Sequence, residues 1–297
     1  MFTNRLAGSQ EIDNDQLRAL APSIFAGNAH AKVSERYSFL PTATVIDGLR
    51  GEGWAPVWAG EQKIRLSDRQ GFQKHMIRLA RVDDLRRTQQ ERPELVLVNS
   101  HDRSSAYQLH AGIFRFVCSN GMILADSVFA RIAITHIDFE PAKVIEASFE
   151  VVREMPAIAD LLEGYKAKTL TTTEHRAFGE AALILKYDSL EKAPVGADKI
   201  LAHRRSEDAR PTLWNALNVV QENMMDGGQR DYKRRRPTSP VWPMSNRRFF
   251  GKTRPVKGLD ENVRLNKALW HLAESLRTSE PLTAAHLRDR AEVSLVN

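Results

Sequence analysis

Two hydrophobic periods run along this chain, and the change from one to the other near residue 141 predicts its architecture. Between residues 37 and 138 apolar positions fall in short runs or alternate with polar ones, as in strands. Beyond Pro141 they recur every three or four residues, as in amphipathic helices. Residues 42–50 read as a short helix, entered after Pro41 and stopped by Gly51 and Gly53. Residues 54–66 read as extended, with Gly60-Glu61 as a turn. Residues 67–70 fit a capping box, whereas 76–82 alternates apolar and basic residues, so a strand is predicted from His75 onwards. A hairpin follows, with strands over 94–99 and 106–117 and a turn over 100–104. Ser119-Asn120-Gly121 has turn composition, since Asn-Gly tolerates left-handed backbone. One more strand is predicted over 127–137.

Helices are predicted over 142–166 (with a kink at Pro156), 173–187, 197–205, 211–225 and 260–277. The fourth is stopped by Gly227-Gly228, and the last carries Leu265, Leu269, Leu272 and Leu276 on one face. Strands followed by helices point to an α+β fold and away from a wound parallel sheet. The expected fold is a β-rich N-terminal half, a hairpin and antiparallel sheet, packed on an α-helical C-terminal half. Residues 1–35 are polar apart from a short amphipathic stretch over 14–20, and read as a loosely attached arm. The division expected is an arm (1–35), a β-rich subdomain (36–140) and a helical subdomain (141–297) with a basic loop over 229–257. Leu213, Trp214, Leu217 and Val220 are expected to join the two halves into one cooperative unit. No repeat of solenoid length occurs.

The charge balance changes this picture only locally. The chain has 43 Lys and Arg against 37 Asp and Glu, a net +6. Between His203 and Lys257 there are 13 cations against 5 acids, so the remainder stands at −2. A basic segment in a near-neutral body points to a local anionic partner. The segment holds Arg204-Arg205, Arg230, Lys233-Arg234-Arg235-Arg236, Arg247-Arg248, Lys252, Arg254 and Lys257, interleaved with Tyr232, Trp242, Phe249 and Phe250. Prolines at 237, 240, 243 and 255 keep it from forming a helix. Guanidinium groups suit phosphate oxygens because they stay charged and donate two hydrogen bonds at once. Aromatic rings stack on unpaired bases. The expected nucleic-acid contacts are therefore Arg230, Lys233, Arg234, Arg235, Arg236, Trp242, Arg247, Arg248, Phe249, Lys252 and Arg254. The bland alternative is a solvated linker whose aromatics pack on neighbouring helices.

Enzymatic signatures are thin. His101-Asp102 lies in a turn, where Asp and Ser bond their own backbone, and the single cysteine, Cys118, ends the apolar strand IFRFVC. An active site dispersed near the 99–120 hairpin, drawing on Asn99, His101, His110 and Asp138, is the enzymatic alternative. The nine histidines lack metal-ligand spacing, and no phosphate-cradling glycine loop or G-x-S-x-G elbow occurs. No cofactor and no metal are expected. With no apolar run of 18 residues, no secretion-type start and one cysteine, a cytoplasmic protein without a membrane span is expected.

The stretches VNSHDRSSAYQLHAGIFRFVCSNGMIL (98–124), TLWNALNVVQENMMDGG (212–228) and ENVRLNKALWHLAE (261–274) resemble the phage/plasmid-like family known as domain of unknown function 932. The likeness covers roughly residues 36–278. It implies residence on prophages, plasmids and similar elements, and it carries no agreed activity or catalytic residue. A remoter likeness is to single-strand-annealing recombination proteins, in the order of a helix ending at Gly53-Trp54, then strands, a hairpin and a helix. That likeness implies single-stranded DNA as ligand and a homo-oligomer as working form. The chain departs from it in having only Arg78, Arg81, Arg103 and Arg115 near the hairpin. The leading expectation is a non-enzymatic nucleic-acid-binding accessory protein of a phage, prophage or plasmid, with single-stranded DNA favoured. Besides the dispersed active site, the other alternative is an interaction module acting on a host or phage protein.

Overall fold

The computed structural model describes residues 10–31, 33, 39, 41–64, 67–86, 91–115, 120–123, 132–134, 141–232 and 251–278. These form two compact units, one of residues 1–157 with 257–260 and the other of 158–256 with 261–297. As the change of period predicts, antiparallel sheet dominates the first and helix the second: the fold is α+β.

In the first unit, helices α1 (Asn14–Leu20) and α2 (Thr42–Gly51) precede the sheet. Its strands are β1 (Trp54–Glu61), β2 (His75–Arg81), β3 (Glu91–Asn99), β4 (Tyr107–Arg115), β5 (Asn120–Ile123) and β6 (Ile132–Ile134). They pair in the order β1-β2-β3-β4-β5, all antiparallel, with β6 also on β4. Strand β1 is bulged between Pro56 and Trp58. Proline fits there because it has no N–H to give a ladder, and its carbonyl accepts from Ile12 N–H (2.7 Å).

Three local expectations shift. Residues 10–31 are a docked segment and no loose arm: α1 is closed by a capping box from Asp13 and Gln16, and Ile12, Leu17, Ala21 and Ile24 are buried. Burying such side chains is worth roughly 1.5–3 kcal/mol for each large aliphatic one. Gly60 and Glu61 continue β1, opposite Met76 and His75. Asn120 and Gly121 stand in β5 opposite Arg115 and Phe114, so they are ladder residues and not the turn.

Helix α3 (Pro141–Ala167) continues through Pro156 and crosses the boundary between the units. The second unit adds α4 (Thr172–Tyr187), α5 (Ala197–Ile200), α6 (Leu213–Asp226), the two-residue strands β7 (Arg230–Asp231) and β8 (Gly251–Lys252), and α7 (Leu259–Thr278). Thr171 and Glu174 form a capping box on α4, and Thr212 caps α6. The core holds Tyr165, Phe178, Leu185, Leu217, Val220, Leu265, Leu269 and Trp270, with Tyr165 and Trp270 rings 5.0 Å apart. Buried Tyr165 donates to Glu274 Oε2 (2.8 Å); burial first, then that carboxylate, hold its phenol well above the usual range. The helix predicted over 197–205 is one turn long, and the chain beyond it is tied down by side chains described next.

Candidate nucleic-acid interface

Helix α6 is buried from Leu213 to Met224, its polar side chains included. A helix with this pattern is stable only if each buried amide and charge finds partners, and here they do so largely along the path to the basic segment. Asn223 Nδ2 donates to the Ile200 (2.8 Å) and Ala202 (3.0 Å) carbonyls, and its Oδ1 accepts from Arg204 Nε (3.0 Å) and from Gln229 Nε2. Gln221 Nε2 donates to Asn266 Oδ1 (3.0 Å), and Asn266 donates in turn to Asn262 O (2.9 Å). Arg205 grips Glu222 at two points, 2.7 and 2.8 Å.

These bonds set up a two-stranded ribbon. After α6, Gly227 takes φ +64° and ψ −154°, a region open essentially to glycine alone. A Cβ there would stand 2.6 Å from Arg254 C and 2.7 Å from Pro255 N. The returning chain is thus laid directly against the helix end. Arg230 then pairs with Lys252 and Asp231 with Gly251. Thr253 donates N–H to Gln229 O (3.0 Å) and accepts from Gly228 N at its carbonyl (3.0 Å) and from Gln229 N at Oγ1 (2.9 Å). Val256 N–H donates to Met225 O (2.8 Å). Lys186 Nζ donates to the Arg254 carbonyl (2.9 Å) and to the Met224 carbonyl; burial, opposed by Glu261, lowers its pKa to about 8. Asp231 is buried and accepts from Gly196 N–H (3.0 Å).

Residues 229–257 carry ten Lys and Arg and one acid, Asp231. That acid is spent inside the fold, so the outward charge of the ribbon base is cationic. Of the predicted contacts, Arg230, Lys252 and Arg254 are described and exposed. Lys233, Arg234, Arg235, Arg236, Trp242, Arg247, Arg248 and Phe249 lie outside the described residues. The sequence count overstates the interface at its start: Arg204 and Arg205 are committed to Asn223, the Gly227 carbonyl and Glu222.

The enzymatic alternative draws on the first unit, where two of its residues, Asn99 and His101, meet Thr42 and His75, which the sequence pattern does not link to them. Thr42 Oγ1 lies 2.9 Å from His75 Nε2, 3.3 Å from His101 Nε2 and 3.0 Å from Asn99 Nδ2. The proton order follows from one fixed acceptor. His75 Nδ1 faces the Gln73 carbonyl (3.2 Å), which only accepts, so Nδ1 carries the hydrogen. His75 Nε2 therefore accepts the Thr42 hydroxyl proton, while Asn99 and His101 both donate to Thr42. Burial first, and His101 beside it second, hold the His75 pKa down to about 3. Thr42, His75, Asn99 and His101 are all fully enclosed, with no exposed surface. A hub so closed ties α2 to the sheet and the Ser23 segment to His75 (3.0 Å). His110 stands opposite Val96 and Asn99 opposite His75, so the two-residue alternation puts His110 on the other face of the sheet. Asp138 and Cys118 lie outside the described residues.

Of the arginines near the hairpin, Arg78 donates to Glu94 (2.5 Å) and is stacked 4.2 Å over Phe114. Arg92, absent from the sequence expectation, reaches the same carboxylate (2.7 Å). All three charged groups are buried on one sheet face, which is structural use of charge and not an open groove. Among the described residues, no group of three potential metal ligands occurs and no helix is long and apolar enough to cross a membrane.

No solved structure matches the chain closely. Two curated proteins of Escherichia coli (strain K12) do, "UPF0380 protein YafZ" and "UPF0380 protein YfjQ". Each is 32% identical over 278 residues, covering 93% of this chain and 95% of its own length. A family model, "Domain of unknown function (DUF932)", matches residues 29–270, a span that contains both the histidine hub and the whole ribbon clamp. The chain therefore belongs to the DUF932 family.

Proposed function

We propose that the chain is a non-enzymatic nucleic-acid-binding protein of the cytoplasm, an accessory of a phage, prophage or plasmid, with single-stranded DNA favoured. One observation carries the reading. A segment with ten cations springs from a ribbon whose only acid is turned inward, and the buried side chain of Asn223 braces that ribbon through Gln229. Guanidinium and ammonium groups carried on a braced base give phosphates a ready set of partners, and the ordering cost of that base falls on folding and not on binding.

Binding of the full chain to labelled single-stranded and duplex DNA and RNA at two salt concentrations tests this. A second arm uses a variant with Arg234, Arg235, Arg236, Arg247 and Arg248 changed to Ala. For single strands held at Z phosphates, log affinity should fall against log salt with a slope near −0.7Z, and the variant should lose most of both affinity and slope. An affinity indifferent to salt, or no binding at low salt, would overturn the proposal and favour an acidic protein partner. A strand preference would make annealing the next activity to assay.

A further inference from the structure

The two faces of the ribbon differ completely. Side chains alternate across a strand, and here the inward set is Asp231, Gly251 and Thr253, all buried. The outward set is Arg230, Tyr232, Lys252 and Arg254, all exposed. Tyr232 is 68% exposed, the most exposed large hydrophobic side chain among the described residues. It follows Arg230 by two residues and, like it, is exposed. Arg230 stands opposite Lys252 across the ribbon, so the two cations share one face. Among the described residues neither Lys252 nor Arg254 has a side-chain bond to a carboxylate.

We propose that this outward face is a single-nucleotide subsite: Tyr232 stacks on one unpaired base while Arg230, Lys252 and Arg254 take the adjoining phosphates. The inference rests on the nucleic-acid reading and adds the side chain that distinguishes strands. Duplex DNA offers phosphates to the cations but keeps its base faces stacked on one another, so it gains nothing from Tyr232. A single strand offers both. Stacking on an aromatic ring is indifferent to base identity, so the subsite selects strandedness and not sequence. The support beneath it is stiff. Asp231 is held by Gly196 N–H, and a Cβ on Gly251 would fall 1.6 Å from the Pro194 carbonyl oxygen, so β8 lies flat on the backbone below. Stiff support keeps the ring in place before the base arrives.

The test compares the full wild-type chain with Tyr232→Ala, Tyr232→Leu and Tyr232→Phe, using a fluorescein-labelled oligothymidylate and a labelled duplex of equal phosphate number. Because the side chain is exposed, far-UV circular dichroism and the melting temperature should match the wild type in all three. The Ala and Leu variants should bind oligothymidylate about 5- to 150-fold more weakly, with Phe close to wild type and duplex affinity unchanged for all. Equal single-strand affinity for wild type and Ala, or an equal loss on duplex, would overturn the stacking role while leaving nucleic-acid binding standing. A wild-type chain that binds neither oligonucleotide at low salt would overturn the nucleic-acid reading itself, and this subsite with it.

Discussion

Replacing Gly227 by Ala perturbs the ribbon at its root, and the structure lets the cost be separated into two parts. The first is conformational. With φ +64° and ψ −154°, the position lies where a side chain is strained by about 1–3 kcal/mol. The second is steric. The new methyl would stand 2.6 Å from Arg254 C, 2.7 Å from Pro255 N and 2.9 Å from Arg254 O. These are backbone atoms, so no rotamer change relieves the clash, and overpacking of this kind costs a further 1–3 kcal/mol or so. Gly228 provides the internal control. Its φ is +89°, and a Cβ there meets nothing within 4 Å, so Gly228→Ala bears the conformational part alone. The difference between the two variants is then about 1–3 kcal/mol, or roughly 3–10 °C in melting temperature for a unit of this size. Urea unfolding monitored by circular dichroism measures the difference. Limited trypsin digestion gives the local readout, because the bond after Lys252 is protected by the Thr253 N–H to Gln229 bond. Gly227→Ala should open that bond to cleavage sooner than Gly228→Ala. Equal stability and equal cleavage in the two variants would refute the claim that Arg254 packs against the helix end.

Three further outcomes are expected. Between about pH 6.5 and pH 3 the unfolded chain binds a proton at residue 75 that the native state refuses, so stability falls as pH falls; at pH 5 the His75 share is about 2 kcal/mol, and a His75→Asn variant should lose that part of the slope in urea titrations between pH 6.5 and pH 5. Thr42→Val keeps the shape but leaves three hydrogen-bonding partners facing a methyl, at a cost of about 2–4 kcal/mol, whereas Thr42→Ser should cost clearly less; equal melting temperatures would contradict the hub. Glu222→Gln removes the charge that holds Arg205, and because that arginine is a quarter exposed the loss should be about 2–3 kcal/mol, below the 3–5 of a fully enclosed pair, read as a shift in denaturation midpoint at unchanged slope.

The change from short apolar runs and alternation to a period of three or four was enough to separate strand from helix. Strand β2 was legible this way from the alternation of His75 to Arg81, and α6 from its end at Gly227-Gly228. What sequence cannot show is pairing across distance. Strands β7 and β8 have two residues each and are separated by 19 residues, too short and too far apart for any window to register. His75 looked like one more strand residue; only the fold places it beside Thr42 and His101, 33 and 26 positions away. Arg205 read as part of a basic run because its partner, Glu222, lies on a helix 17 residues on. Asn120-Gly121 misled for the opposite reason: its local turn preference is real, but ladder pairing with Phe114 and Arg115 overrides it.

The alternation of the ribbon also limits how this region can change over time. A substitution at Arg230 or Lys252 alters one outward side chain and nothing beneath it. Loss or gain of one residue between Gly251 and Thr253 does something different, since a one-step slip exchanges the two faces. Thr253 would then face solvent, and Lys252 or Arg254 would be driven against the Pro194 carbonyl, where not even a methyl group fits. Replacements of the outward side chains are graded, and single-residue insertions or deletions are all-or-none.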